Sequence, residues 1–159
     1  MLSNNTMILG ALVILCGFLW VRSHGYNSKL QVQIEASPEQ VFKHLRSPEA
    51  IRKWMPKPEK LNSSGVTMDL SNPNITSYVE NIYVRTENEC GFLGVSNGTW
   101  MLKSDTDNQM MITVNFSHKM SYTPMSFLFG SGLENAADVA YGRALLALKN
   151  HVEAEAKNR

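Results

Sequence analysis

An excess of charge of either sign is missing from this chain. Its 15 Lys and Arg against 14 Asp and Glu leave a net charge of +1 over 159 residues. No run of Lys or Arg departs from that balance, which argues against a nucleic-acid partner, because such a partner needs a basic face. Cysteine is nearly absent. Cys16 falls in an apolar N-terminal run and Cys90 in the polar remainder. The two cannot pair within one monomer, so the main domain has no disulfide, which is compatible with a reducing compartment. Cys90 reads as a buried strand residue rather than a nucleophile. His44, His118 and His151 are scattered, and no Cys or His pair stands at metal-ligand spacing, so no metal is expected. No Ser sits in a nucleophile elbow and no glycine-rich loop could cradle a phosphate, so no catalytic residue and no cofactor are expected either. Internal repeats and low-complexity tracts are also missing.

Long apolar runs are rare, with one exception. Met7 to Val21, MILGALVILCGFLWV, is unbroken and ends in Trp20 followed by Arg22. A spanning helix wants roughly 20 residues, and Asn5, Thr6 and the snorkelling stem of Arg22 bring the run into range. Three readings compete. Residues 1–23 could be a transmembrane anchor, a cleaved signal peptide, or a lipoprotein signal ending at Cys16. The anchor is preferred. The first six residues lack the Lys or Arg of a signal peptide, and Leu15 occupies the place where a lipoprotein signal carries a small residue. Arg22 and Lys29 follow the run and no basic residue precedes it, so the positive-inside rule places a single-pass protein with its domain in the cytoplasm. Against this, Asn4, Asn62, Asn74, Asn97 and Asn115 each begin an N-x-S/T triplet. Such matches arise by chance in a chain rich in Asn, Ser and Thr, and they are taken as incidental.

Beyond a polar linker at 24–29, the stretch from Leu30 to Trp54 carries the most information. Leu30 to Glu35 alternates apolar and polar residues, as a strand with one buried face does. Ser37-Pro38 with Glu39 and Gln40 then opens a capped helix with Val41, Phe42 and Leu45 on one face. Ser47-Pro48-Glu49 repeats the signal for a second short helix ending at Trp54. Strand, capped helix, and second capped helix closed by Trp resemble the start of the START-like superfamily, the helix-grip or SRPBCC domains. The likeness is nearest to the polyketide cyclase/dehydrase and lipid-transport branch, and it rests on Ile34, Ala36, Ser37, Pro38, Glu39, Val41, Phe42, Pro48 and Trp54.

The middle of the chain reads as strands. A short one is expected at Gly65–Leu70, a long one at Thr76–Thr86, and further ones at Cys90–Val95, Thr99–Ser104 and Met110–Ser117. Asn97-Gly98 is expected to form a hairpin turn. Ser121–Ser131, interrupted by Pro124 and Gly130, could be a last strand, a short helix or a lid. Leu133 to Lys157 reads as a long helix with Leu133, Ala137, Ala140, Ala144, Leu148 and Val152 on one face. Leu145, Leu148, Lys149 and Glu153 resemble the end of the same family, so the likeness covers about residues 30–155 of a domain placed at 30–157.

The resemblance implies an α+β helix-grip fold: a curved antiparallel sheet wrapped around the C-terminal helix, here preceded by one transmembrane helix. It also implies a cavity between sheet and helix for a hydrophobic small molecule or lipid. Candidate lining residues are Trp54, Tyr78, Glu80, Ile82, Trp100, Ile112, Val114, Phe116, Phe127, Ala140, Ala144 and Leu148. Glu80 is either a polar handle for the ligand or a mark of the strand's solvent face. Trp54, Trp100 and Phe116 are core aromatics first and ligand walls second. Ala136, Ala137, Ala140 and Ala144 could leave room above the sheet or simply allow close packing. His118 continues the Met110–Phe116 face and lies either at the cavity mouth or on the surface. Two alternatives stand beside a lipid-handling domain at the membrane. One is a non-catalytic accessory subunit with a membrane-protein partner; the other is a polyketide cyclase or aromatase, which needs few catalytic groups.

Overall fold

A computed structural model describes residues 8, 10, 12–15, 26–57, 68–90, 94–106, 109–119 and 124–158, with the backbone alone for 105, 106, 109 and 124–134. Its elements are β1 (Tyr26–Ile34), α1 (Pro38–Leu45), α2 (Pro48–Trp54), β2 (Asn74–Val79), β3 (Tyr83–Glu89), β4 (Val95–Thr106), β5 (Gln109–Lys119) and α3 (Pro124–Lys157). The strands form one antiparallel sheet in the order β1-β5-β4-β3-β2. Three connections are sequential neighbours. The exception is β1, which leaves through the two short helices and lies against β5. The long helix α3 runs beside β1 in the same direction. The Tyr26 hydroxyl donates to Asp138 Oδ2 at 2.6 Å, Lys149 Nζ donates to the Gln33 carbonyl at 2.7 Å, and the Glu35 amide donates to Glu153 Oε1 at 3.1 Å. The architecture is the α+β helix grip.

The entry into α1 forms as the sequence requires. The Ser37 amide donates to Gln40 Oε1 at 2.9 Å and the Gln40 amide donates to Ser37 Oγ at 3.4 Å, which completes a capping box. Ser47 caps α2 by accepting from the Ala50 amide at 3.1 Å. Replacing Ser37 with Ala is expected to cost about 1 kcal/mol of stability, measured by urea unfolding. A Ser37→Thr variant, which keeps the hydroxyl, is expected to retain most of it.

Several boundaries differ from the sequence reading. Tyr26 to Lys29 belong to β1 and not to a linker. The strand expected across Thr76–Thr86 is a hairpin that reverses at Glu80–Ile82, where Asn81 takes the left-handed conformation at φ 59°. Asparagine tolerates that region better than most residues, so it can turn the chain without glycine. Asn97 and Gly98 sit inside β4, not at a turn. The glycine is there for close approach: a Cβ on Gly98 would lie 3.0 Å from Thr86 Oγ1 and 3.1 Å from the Tyr141 ring. Cys90 and Gly94 have no strand conformation, and the Cys90 amide donates to the Gly94 carbonyl at 2.8 Å. Met68–Leu70 is irregular, while 65–67 lie outside the described residues. From Pro124 onward the segment of uncertain type is helical, so the last helix spans 34 residues and Pro124 stands at its first position.

Most of residues 1–25 lies outside the described set. Ile8, Gly10 and Leu12–Leu15 are helical, and the five large apolar residues among them are 50–66% exposed. Among the described residues no helix is long and apolar enough to cross a membrane.

Candidate functional site

Strand register sorts the inner face of the sheet into rows that grade from polar to apolar. Tyr26, His118, Ser96 and Asn88 stand opposite one another across β1, β5, β4 and β3. The next row is Ser28, Phe116, Gly98 and Thr86. Leu30, Val114, Trp100 and Val84 follow, then Val32, Ile112 and Leu102, and finally Ile34 and Met110. Side chains two apart on a strand share a face, so each row faces α3. The helix covers them with Ala136, Ala137, Tyr141, Ala144, Leu145, Leu148 and Val152, all buried. At the apolar end α1 and α2 close the core. The Trp54 ring meets Trp100 edge-on at 6.0 Å, and Trp54 Nε1 donates to the His44 carbonyl at 2.9 Å.

Tyr141 is the residue that the sequence reading missed. It is fully buried, stacks on Phe116 at 4.2 Å between ring centroids, and sits 6.1 Å from the Trp100 ring. The room that the alanines of α3 leave is filled here by a tyrosine of the same helix. Its hydroxyl lies 3.2 Å from Ser96 Oγ and is also bonded to the Asn88 side chain. Burial pushes its pKa up to about 12. The available signal was an aromatic residue four positions from Ala137 and from Leu145, inside the apolar stripe.

Around Tyr141 the polar row is buried. Thr86, Asn88, Ser96 and His118 are at most 3% exposed. Trp100 Nε1 donates to Thr86 Oγ1 at 3.2 Å, and Thr86 Oγ1 donates to the Gly98 carbonyl at 3.4 Å. Cys90 Sγ points at the Asn88 carbonyl at 3.7 Å, and burial, with Asp69 adding to it, pushes the thiol to about 11. A thiol so shifted is not a nucleophile near neutral pH. Two buried acceptors, Asn88 Oδ1 and Asp138 Oδ1, have no hydrogen-bond partner among the described residues.

The Tyr141 shift carries a sign that can be tested. An unfolded tyrosine ionises near pH 10, while the folded one holds its proton to about 12. Between those values the native state binds more protons than the unfolded state, so stability contributed below pH 10 is lost as the pH rises toward 12. Urea unfolding between pH 9 and 11.5 is expected to show wild type losing stability more steeply than Tyr141→Phe, by up to about 1.4 kcal/mol per pH unit. Parallel curves would show that Tyr141 does not titrate differently in the two states.

The expected lining residues divide. Trp54, Trp100, Ile112, Val114, Phe116, Ala144 and Leu148 are brought together in the core, with Ala140 half-buried beside them. Tyr78 and Ile82 are 57% and 55% exposed, and Glu80 is exposed in the β2–β3 turn. The hairpin reversal places Glu80 and Ile82 in the turn, while Tyr78 pairs with Val84 and extends that inner row to the edge strand, where its ring lies 5.9 Å from that of Phe42. The Phe127 backbone is helical and its side chain lies outside the described residues. His118, given either to a cavity mouth or to the surface, is 2% exposed. On the opposite, outer face of the sheet an open recess of about 680 Å³ is lined by Lys29, Arg85, Asn97, Thr99, Asn115 and Ser117 among others. It is a polar trough, unlike the graded interior.

No protein-family model and no curated protein matches the chain in sequence. Solved structures do match in shape. A protein of Thermus thermophilus is 12% identical with a TM-score of 0.61, over 82% of this chain and 99% of its own. A START superfamily protein from Mycobacterium smegmatis is 14% identical with a TM-score of 0.60, over 80% and 97%. The di-domain ARO/CYC protein StfQ from the steffimycin biosynthetic pathway is 9% identical with a TM-score of 0.62, over 87% of this chain and 55% of that one. At these identities the likeness shows the fold alone: an antiparallel sheet with a long C-terminal helix, shared with these structures.

Proposed function

We propose that this chain is a membrane-associated START-like domain that binds a hydrophobic small molecule or lipid against the inner face of its sheet. The observation that carries this is the graded interior, with apolar rows running into a buried polar row under Tyr141. Thr86 and Ser96 are bonded within the protein, but a buried polar atom left without a partner is costly, and this end of the interior holds such atoms among the described residues. Asn88 Oδ1 and Asp138 Oδ1, which have no partner among the described residues, are acceptors. They favour a ligand whose polar end donates, such as a hydroxyl or an amine, over a phosphate or carboxylate. The apolar body of the ligand supplies the driving force, at about 25 cal/mol per Å² of apolar surface buried. Support for the membrane comes from the apolar run at Met7–Val21 and from the exposure of its described residues. Its charge asymmetry favours a domain on the cytoplasmic side. The described interior groups are mainly hydrogen-bonding side chains and apolar surface, which suits a carrier or sensor.

The test is extraction of the full chain from its membrane in a polymer-bounded native lipid particle, followed by mass spectrometry of the bound apolar molecules. One hydroxyl- or amine-bearing species should be enriched over the particle lipids of an unrelated single-span protein. Tyr141→Phe and Ala140→Phe should each lower its occupancy at least tenfold. A lipid profile identical to that control would refute the proposal.

A further inference from the structure

We infer that His44, His151 and Glu155 form a binding site for a divalent transition-metal ion, Zn²⁺ foremost, that clasps α1 to the end of α3. His151 and Glu155 stand four positions apart on α3 and therefore on one helical face. His44 comes from the last turn of α1 and is 8% exposed. One ligand atom from each of the three lies within 4.8 Å of the others. Tetrahedral zinc holds its ligands at about 2.0–2.1 Å, hence roughly 3.3 Å apart. The contraction of about 1.5 Å needs only rotamer adjustment of His151 and Glu155, the two less buried members.

A plain histidine–glutamate ion pair accounts for this cluster poorly. His44 Nε2 lies 3.0 Å from Glu155 Oε2 at a poor hydrogen-bond angle, and no other partner for it stands among the described residues. The His151 ring packs edge-on against His44 at 4.8 Å, so two imidazoles and a carboxylate converge where two imidazolium charges would repel. Lys43 Nζ pairs with Glu155 Oε1, which leaves Oε2 turned toward the histidines. With a third of its side chain exposed, Lys43 can withdraw to solvent when a cation enters. The crevice between α1 and α3, lined by Gln40, Lys43, His44, Val152, Glu155 and Ala156, is too narrow for a substrate. The site therefore clamps two helices and holds no substrate, with water completing the coordination. Two histidines and a carboxylate suit zinc and its neighbours, whereas Mg²⁺ and Ca²⁺ prefer oxygen alone.

The probe is Co²⁺, followed by Zn²⁺, added to the full chain in mild detergent, free of a polyhistidine tag and stripped by chelator. One equivalent of Co²⁺ should produce visible d–d absorption between about 500 and 650 nm, as expected of low-coordinate nitrogen and oxygen ligation, and Zn²⁺ should bleach it. Saturating Zn²⁺ should raise Tm by roughly 5 °C, and Mg²⁺ should not. His151→Gln and Glu155→Gln should each weaken Co²⁺ binding at least tenfold while leaving the metal-free Tm within a few degrees of wild type. Absence of the absorption with no Tm response to Zn²⁺ would overturn the inference. So would binding unchanged in both variants, which would place the ion elsewhere.

Discussion

Tyr141→Ala is expected to cost about 3–5 kcal/mol. The ring is fully buried, stacked on Phe116 and tilted against Trp100, with its hydroxyl held by Ser96 and Asn88. Removing it leaves a cavity beneath a helix whose adjacent residues are small. Ala137 and Ala144 have no side chain with which to refill the space, so relaxation is limited. It also strips the Ser96 and Asn88 side chains of a partner, which adds an unsatisfied-polar cost. Tyr141→Phe separates the two contributions. It keeps the ring and loses only the hydroxyl bonds, so about 1 kcal/mol is expected. Chemical unfolding at neutral pH measures both. A Tyr141→Ala cost near that of Tyr141→Phe would mean that the ring does not fill the sheet–helix interface.

Gly98→Ala should cost about 1–3 kcal/mol, against the usual benefit of replacing a strand glycine. The new methyl would meet Thr86 Oγ1 at 3.0 Å and the Tyr141 ring and hydroxyl at 3.1 Å. Neither neighbour can yield easily. Thr86 is β-branched and accepts from Trp100 Nε1, while Tyr141 is wedged against Phe116. The two positions should therefore be coupled. In a Tyr141→Ala background the Gly98→Ala cost should vanish or reverse, because the methyl then enters the space that the ring vacated. Additive costs in the double mutant would show that Gly98 is required for some other reason.

Much of the fold was legible because local chemistry and tertiary structure agree at its two ends. The Ser37 and Ser47 caps, the alternation of β1 and β5, and the long last helix all follow from periodicity and capping. The centre was harder, for identifiable reasons. Asn97-Gly98 has the composition of a hairpin turn, yet this glycine answers to a tyrosine 43 positions later, and pattern reading sees only neighbours. Asn81 supplies the reversal that no glycine announced. Thr86, Asn88 and Ser96 carry turn-forming side chains and so look like strand ends, although they continue the inward period of Val84 and Gly98. The polar row was therefore visible only once register was known. The histidine pair needed still more, since His44 and His151 meet only through the run of α3 past α1.

The most direct measurement is photo-crosslinking of the full chain in membranes with a clickable, diazirine-bearing long-chain alcohol, read by peptide mapping. Label is expected on inner-face residues of β4, β5 and α3, around Trp100, Phe116 and Tyr141, and competition with the unlabelled alcohol should remove it. Label confined to residues 1–25, or spread over the outer face of the sheet, would contradict binding between sheet and helix.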